Sequence, residues 1–338
     1  MGMKPGVISK SVDYHDQRER RAKGFEDMVG ASAGMKEVYQ FMRQAAATDI
    51  PVLLTGETGT GKDLAAKAIH QLSSRGPKPY TPVHLGALPQ ELVASELFGH
   101  EKGAFTGATE KRKGSFELSH QGTVFLDEIS TIDDRVQISL LRLLETKTFN
   151  RIGGSKTIKA NVRMVAASNE DLADAVRRGT FRKDLYYRLE VFQITMPPLR
   201  DRGGDLLLLV DRFLKTYNNE YQKHILGLSP DCVACLQSYD WPGNVRELKN
   251  VVHRAVVICS GDVLLPEHLP VRLRTGKEAS QRIVLPVGTT LDAAEREIIK
   301  STLNATGRNL RQTARLLGIS RGTMYNKIKK HKLLDERS

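Results

Sequence analysis

Three short groups of residues in this chain have types and spacings that could do chemistry. Gly56-Glu57-Thr58-Gly59-Thr60-Gly61-Lys62 fits the pattern G-x-x-x-x-G-K. Glycines there let backbone N–H groups curl around phosphate oxygens, and a lysine at the end neutralises β/γ charge. Residues 123–128 read Thr-Val-Phe-Leu-Asp-Glu, an apolar run ending in Asp127 and Glu128. Such a pair can hold Mg²⁺ through the first carboxylate and polarise an attacking water with the second. Between these two groups lies Gly103-Ala104-Phe105-Thr106-Gly107-Ala108. Its phenyl ring stands among neighbours too small to cover it, so the segment is expected to be a tip that offers one apolar anchor to a partner.

The first two groups belong to ATP hydrolysis, with ATP and Mg²⁺ as the expected ligands. Asp63 stands where the general motif has Ser or Thr, so no hydroxyl is available there for the metal. Thr60 and Asp127 are the metal candidates, directly or through water. The third group makes the chain a candidate for an ATP-driven device that pushes on something else.

Positioning these groups requires strands that end at the loop and at the carboxylates. Residues 51–55, 123–126 and 162–167 are short apolar runs, and 63–72 carries helical spacing after the glycine-rich turn. Strands alternating with helices predict an α/β fold, a parallel sheet with helices on both faces. After Pro197-Pro198 the strand signals fade, and 206–221, 230–238 and 245–260 read as helices. Residues 274–288 mix Gly, Ser, Lys and Pro without periodicity and read as a linker. Residues 1–24 are polar and charged, too short for a domain, and no regulatory domain is read there.

The chain has 338 residues, 40% of them apolar, and a formal charge of +12. No run of 18 apolar residues is present, so no membrane partner is expected. Three cysteines are too few for a disulfide framework and suit a reducing cytoplasm. Cys232 and Cys235 form a lone C-x-x-C and read as ordinary helix residues. Residues 289–338 hold 11 Lys and Arg against 5 Asp and Glu, a local excess that favours DNA. There 291–304 is helical with an apolar stripe that also suits dimer packing, and 310–317, a Gly318-Ile319-Ser320 turn and 321–331 have helix-turn-helix spacing. Ser320 is the expected N-cap of the last helix. That helix would present Arg321, Thr323, Asn326 and Lys327 to the major groove, with Lys329 and Lys330 toward phosphates.

With these residues placed, the chain resembles the AAA+ activators of sigma-54 RNA polymerase over residues 25–334. The resemblance rests on six ordered blocks. They are the loop 56–63, Glu-Leu-Phe-Gly-His-Glu-Lys-Gly-Ala-Phe-Thr-Gly-Ala at 96–108, Phe-Leu-Asp-Glu-Ile at 125–129, Phe-Arg-Lys-Asp-Leu-Tyr-Tyr-Arg-Leu at 181–189, Pro-Pro-Leu-Arg-Asp-Arg at 197–202 and Trp-Pro-Gly-Asn-Val-Arg-Glu-Leu at 241–248. It implies an AAA+ α/β ATPase domain over 25–198, an α-helical lid domain over 199–273 and a Fis-type helix-turn-helix domain over 289–338. An acidic residue after the loop lysine is usual in this family. The resemblance further implies that 103–108 contacts sigma-54 through Phe105, supported by Thr106. Residues 151–156 would be a second loop that moves with the first.

Asn169 matches the first sensor and Arg246 the second, while Arg182 and Arg188 match arginines supplied to the neighbouring subunit's ATP. A guanidinium fork suits the charge developing on the γ-phosphoryl group. A homo-oligomer running from dimer to hexameric ring is therefore expected. His84 stands where relatives usually carry an Asn that restrains the catalytic glutamate, and its imidazole could donate to Glu128. The function so implied is ATP-driven conversion of closed to open promoter complexes from upstream DNA. The alternatives are a DNA-binding AAA+ regulator acting without sigma-54, and a clamp-loader or helicase-type motor.

Overall fold

A computed structural model describes residues 28–274, 286, 288–306, 309–331 and 333. The expectations for 1–24, and for most of the 274–288 linker, lie outside the described residues. The chain divides into two compact units, Met1–Leu269 and Pro270–Ser338.

The first unit is built on five parallel strands: β1 (Val52–Thr55), β2 (Tyr80–His84), β3 (Thr123–Asp127), β4 (Arg163–Ser168) and β5 (Gln193–Thr195). Their spatial order is β2-β3-β4-β1-β5. Helices cover both faces because the inner strands are apolar on both. Val52, Leu54, Phe125, Val165 and Ala167 pack with helices α1 (Ala33–Ala46) and α2 (Lys62–Leu72). Leu53, Val124, Leu126, Met164 and Ala166 pack on the opposite side with α3 (Gln90–Phe98), α4 (Asp134–Thr146), α5 (Leu172–Arg177) and α6 (Lys183–Leu189). The alternation of faces follows from the two-residue side-chain period of a strand.

Side-chain caps fix where several helices begin. Asp133 accepts from the N–H of Val136 at 2.8 Å to start α4, and Asp171 accepts from Ala173 at 2.8 Å to start α5. Three longer helices follow the sheet in this unit: α7 (Asp205–Tyr221), α8 (Pro230–Gln237) and α9 (Asn244–Ile258). Trp241 is 1% exposed and its indole donates to the Leu236 carbonyl at 2.9 Å, which closes the turn between α8 and α9. Asp205 is buried at the head of α7 and accepts from the backbone N–H groups of Ala31 and Ser32 at 2.6 and 2.9 Å. Cys232 and Cys235 sit within α8 as free thiols, and burial raises the Cys232 pKa to about 12.

The second unit holds α10 (Leu291–Ala305), α11 (Leu310–Leu316) and α12 (Arg321–His331) around Ile299, Leu303, Ala314, Met324 and Ile328. Ser320 accepts from the N–H of Thr323 at 3.1 Å, so the cap read from the sequence forms. The apolar stripe on α10 divides: Ile299 and Leu303 enter the core, whereas Leu291 is 90% exposed.

Candidate nucleotide site and its associated loops

At the carboxyl ends of β1, β3 and β4 lies a cavity of about 560 Å³, where the strand order reverses direction. Open parallel sheets bind ligands at such a switch point. The loop residues Thr58, Gly59, Thr60, Gly61, Lys62 and Asp63 line it, together with His84, Asp127, Glu128 and Asn169. Arg212, Phe213, Tyr217, Arg246 and Lys249 close it from the helical side.

Lys62 opens α2 and is 8% exposed. Its ammonium donates to the carbonyls of Gly56 at 2.7 Å and Glu57 at 3.1 Å. Burial lowers its pKa, and Asp127 is the first group to oppose that shift. An ammonium held with two neutral acceptors, on a glycine loop at a helix N-terminus, suits a polyphosphate. Thr60 is 2% exposed and gives its hydroxyl proton to the Glu57 carbonyl at 2.8 Å. That places the Thr60 oxygen inside the loop turn, whereas Asp127, which lines the cavity, offers carboxylate oxygens that could hold a Mg²⁺ ion.

Asp127 ends β3, where its Oδ1 accepts from the Glu128 N–H at 3.1 Å. Glu128 adopts a left-handed conformation with φ 59°, a strained setting for a non-glycine residue of the kind found at functional sites. Its carboxylate lies over Gly86: a Cβ there would fall 1.8 Å from Glu128 Oε2, so any larger residue would displace the carboxylate from this position. Asn169, just past β4, donates from Nδ2 to Thr58 Oγ1 at 3.3 Å.

His84 differs from the expectation that it faces Glu128. Its Nδ1 lies 3.1 Å from Asp127 Oδ2. The cause is register: His84 and Asp127 are partners on neighbouring parallel strands, so their side chains project to the same face. Glu128 lies one residue beyond, where the chain turns left-handed.

Glu57 lies in the phosphate loop, and its carboxylate faces the helical side. Arg200 reaches it at 2.5 and 2.9 Å, and Asn244 Nδ2 at 3.0 Å. Arg200 first, then Asn244, hold its pKa down to about 2. Asn244 is fully buried at φ 49°; it also donates to the Thr58 carbonyl at 3.0 Å and accepts from the Leu199 N–H at 2.8 Å. The N–H of Val245 adds a bond to the Gly59 carbonyl at 3.0 Å. Here Gly59, at φ 80°, is required, since a Cβ would lie 2.3 Å from the Gly243 carbonyl oxygen. Arg202, 2% exposed, donates to the carbonyl of Thr60 at 2.8 Å. The phosphate loop and the start of α9 are thus fastened together by residues the sequence did not mark. Asn244 and Arg200 fall inside quoted blocks, yet nothing in a linear pattern says that their partners lie over 140 residues away.

Arg182 and Arg188 do not line the cavity. Arg182 pairs with Asp184 at 2.9 Å and Asp134 at 3.3 Å, and Arg188 with Glu145 at 3.2 Å, on the outer side of α4 and α6.

The segment 103–108 is closed by backbone bonds from Gly103 N to Ala108 O at 2.8 Å and from Ala108 N to Phe105 O at 3.0 Å. Gly103 and Gly107 take positive φ, Ala108 is buried, and Phe105 is 38% exposed. The ring is not wholly unsupported: it meets His100 edge-on, with centroids 5.0 Å apart, and His100 Nδ1 lies 2.8 Å from Ser95 Oγ. The base of this segment is joined to 151–156. Glu101 N donates to Ile152 O at 3.0 Å, and Arg151 pairs with Glu101 at 2.7 Å and Glu117 at 2.6 Å.

On α12, Arg321, Thr323, Asn326 and Lys329 are exposed. Lys327 and Lys330, expected to contact DNA, pair in the unbound chain with Glu295 and Asp292 of α10. The two helices pack through Ile299, Met324 and Ile328, which brings carboxylates and ammoniums at their margins together. Tyr325, 59% exposed, is an aromatic on this helix that the sequence reading passed over.

Comparison with known proteins places these units. Residues 28–195 match the model of the sigma-54 interaction domain, 200–284 that of the AAA+ ATPase lid domain, and 290–331 that of the bacterial regulatory protein, Fis family. The nitrogen fixation protein AnfA of Azotobacter vinelandii is 43% identical over 87% of this chain and 55% of its own length. The phenol regulator MopR of Acinetobacter guillouiae is 42% identical over 89% of this chain and 56% of its own. The chain therefore spans little more than half of these relatives. The transcriptional regulatory protein ZraR of Salmonella typhimurium is 41% identical over 89% of this chain and 68% of its own. Among solved structures, NtrX from Brucella abortus in complex with ADP superposes with a TM-score of 0.68 at 33% identity, covering 94% of this chain and 71% of that one. The same protein in complex with ATP gives 0.68 at 30% identity.

Proposed function

The chain belongs to the sigma-54-dependent transcriptional activators, and on that premise we propose that it hydrolyses ATP to remodel sigma-54 RNA polymerase from closed to open promoter complexes, acting from upstream DNA. The observation that carries this reading is the path from Glu128 to Phe105. The Glu128 carboxylate rests on Gly86, and α3 follows directly and leads into the segment that exposes the phenyl ring. A side chain that orients water for attack on the γ-phosphate is thereby in contact with the base of a lever.

Lys62 and the loop N–H groups bind the triphosphate, and Arg246 and Lys249 meet it from the helical side. Asp127 would hold Mg²⁺, which would supply neutralisation of phosphate charge. Glu128 orients and polarises the water, and Asn169, already bonded to Thr58, senses the γ-phosphate end of the loop. Arg182 and Arg188, outside the cavity of their own subunit, complete the site of a neighbour in a ring. Phe105 contacts sigma-54, and Arg151 transmits movement between the two loops. The second unit docks α12 on DNA through Arg321, Thr323, Asn326 and Lys329. Family matches over residues 28–195, 200–284 and 290–331 and the nucleotide complexes of NtrX support these assignments.

The test uses open-complex formation with sigma-54 polymerase on a supercoiled promoter, alongside ATPase assays. Lys62→Ala is expected to abolish both activities. Phe105→Ala is expected to keep ATPase within about threefold and to abolish open complexes. Full initiation by both variants would overturn the proposal.

A further inference from the structure

His331, the last residue of α12, is 7% exposed, and its Nε2 is buried with no hydrogen-bond partner among the described residues. That nitrogen faces Glu295 Oε2 at 3.6 Å, while Nδ1 of the same ring lies 3.9 Å from Asp292 Oδ2. Asp292 and Glu295 are three residues apart on α10 and so share one face of that helix. One ligand atom from each of the three residues falls within 4.8 Å of the other two.

We propose that Asp292, Glu295 and His331 form a binding site for a divalent transition-metal cation of the zinc class. Nitrogen and carboxylate ligands about 2.0–2.2 Å from tetrahedral zinc stand about 3.4 Å from one another. The observed separations need to close by roughly an ångström, within the reach of the exposed Asp292 side chain. An imidazole nitrogen among two carboxylates selects zinc, cobalt or nickel over the hard cations calcium and magnesium. A water completes the fourth position.

The present counter-ions of the carboxylates are Lys327, on Glu295, and Lys330, on Asp292. A dication that takes both carboxylates releases both ammoniums. Those lysines lie on the helix that the proposed function places against DNA, and on that reading the site sets how many positive charges α12 offers to phosphates. The metal also bridges the end of α12 to α10, fixing the reader helix to its support.

The test uses the full 338-residue chain, stripped with EDTA and titrated with Co²⁺ as a spectroscopic substitute for zinc. The wild type is expected to take up one more equivalent per chain than Asp292→Asn or His331→Gln, with visible d–d bands that both variants lack. Asp292 is exposed, so its variant keeps the fold where His331→Gln could lose it, and thermal melting of each verifies this. In a second arm, Zn²⁺ is expected to steepen the salt dependence of binding to nonspecific duplex DNA. The slope of log K against log salt grows by about 1.8 for two released lysines, and Asp292→Asn shows no such change. Equal cobalt uptake by wild type and both variants overturns the site. Uptake with an unchanged salt slope overturns the release of Lys327 and Lys330. Absence of duplex binding with and without metal overturns the DNA reading of α12, and the cobalt result then stands by itself.

Discussion

The carboxamide of Asn244 donates to the carboxylate of Glu57 at 3.0 Å, so the helical part of the first unit holds the phosphate loop by a residue of the loop itself.

Replacing Asn244 with Ala removes three hydrogen bonds, leaves the buried Leu199 N–H unpartnered and places Ala at a left-handed φ of 49°. Losses of this kind cost about 2–4 kcal/mol in total. Urea unfolding is expected to show that loss in the first unit, and nucleotide titration a drop in affinity of about tenfold. Unchanged affinity would mean that the fastening does not shape the loop.

Glu57 gives the fastening a pH dependence. Its folded pKa lies near 2, below the ordinary glutamate value of 4.5, because Arg200 and Asn244 stabilise the carboxylate. A depressed folded pKa contributes stability that is present above 4.5 and is lost as pH falls toward 2. The difference in melting temperature between wild type and Glu57→Gln is therefore expected to be full at pH 7 and to shrink below about pH 4.5. A gap that widens on acidification would contradict the assignment. The partly exposed Arg200–Glu57 pair also predicts that salt reduces this gap.

Arg182 and Arg188 do not line the cavity of their own chain, so their proposed role is testable by mixing. Arg182→Ala and Glu128→Gln subunits are each expected to lose at least about 100-fold in ATPase rate, a loss of about 2.7 kcal/mol in barrier lowering. Equal mixtures are expected to regain activity at interfaces where an intact Arg182 meets an intact Glu128. ATPase per chain should also rise with protein concentration. No recovery and no concentration dependence would place the arginines outside catalysis.

His84→Asn is expected to keep ATPase and open-complex formation within about threefold, because an Asn amide can replace the 3.1 Å contact to Asp127. Loss of coupling with ATPase intact would show that the imidazole itself carries the signal.

The strands and helices that hold the site were legible because burial imposes its period on the sequence. β1, β3 and β4 fall within one residue of the apolar runs that announced them, and the capped start of α12 follows directly from Ser320. Asp127 and Glu128 were legible because they follow an apolar strand, Lys62 because it closes a glycine-loop pattern that opens a helix, and Asn169 only through the family resemblance. Their orientations were not. His84 turned to Asp127 because parallel register, which a single strand cannot reveal, made them neighbours.

The sequence by itself determined the element order, the phosphate loop and its carboxylates, the exposed phenyl ring and the helix-turn-helix. These depend on local backbone preference and on patterns a few residues long. Tertiary structure alone decided that the Glu57 carboxylate faces Arg200 and Asn244, and that Lys327 and Lys330 face carboxylates on α10. It also set a His331 nitrogen that has no hydrogen-bond partner among the described residues before Glu295. The physical reason is that a charged side chain takes its counter-ion from whatever packing brings near, and packing joins residues far apart in the chain.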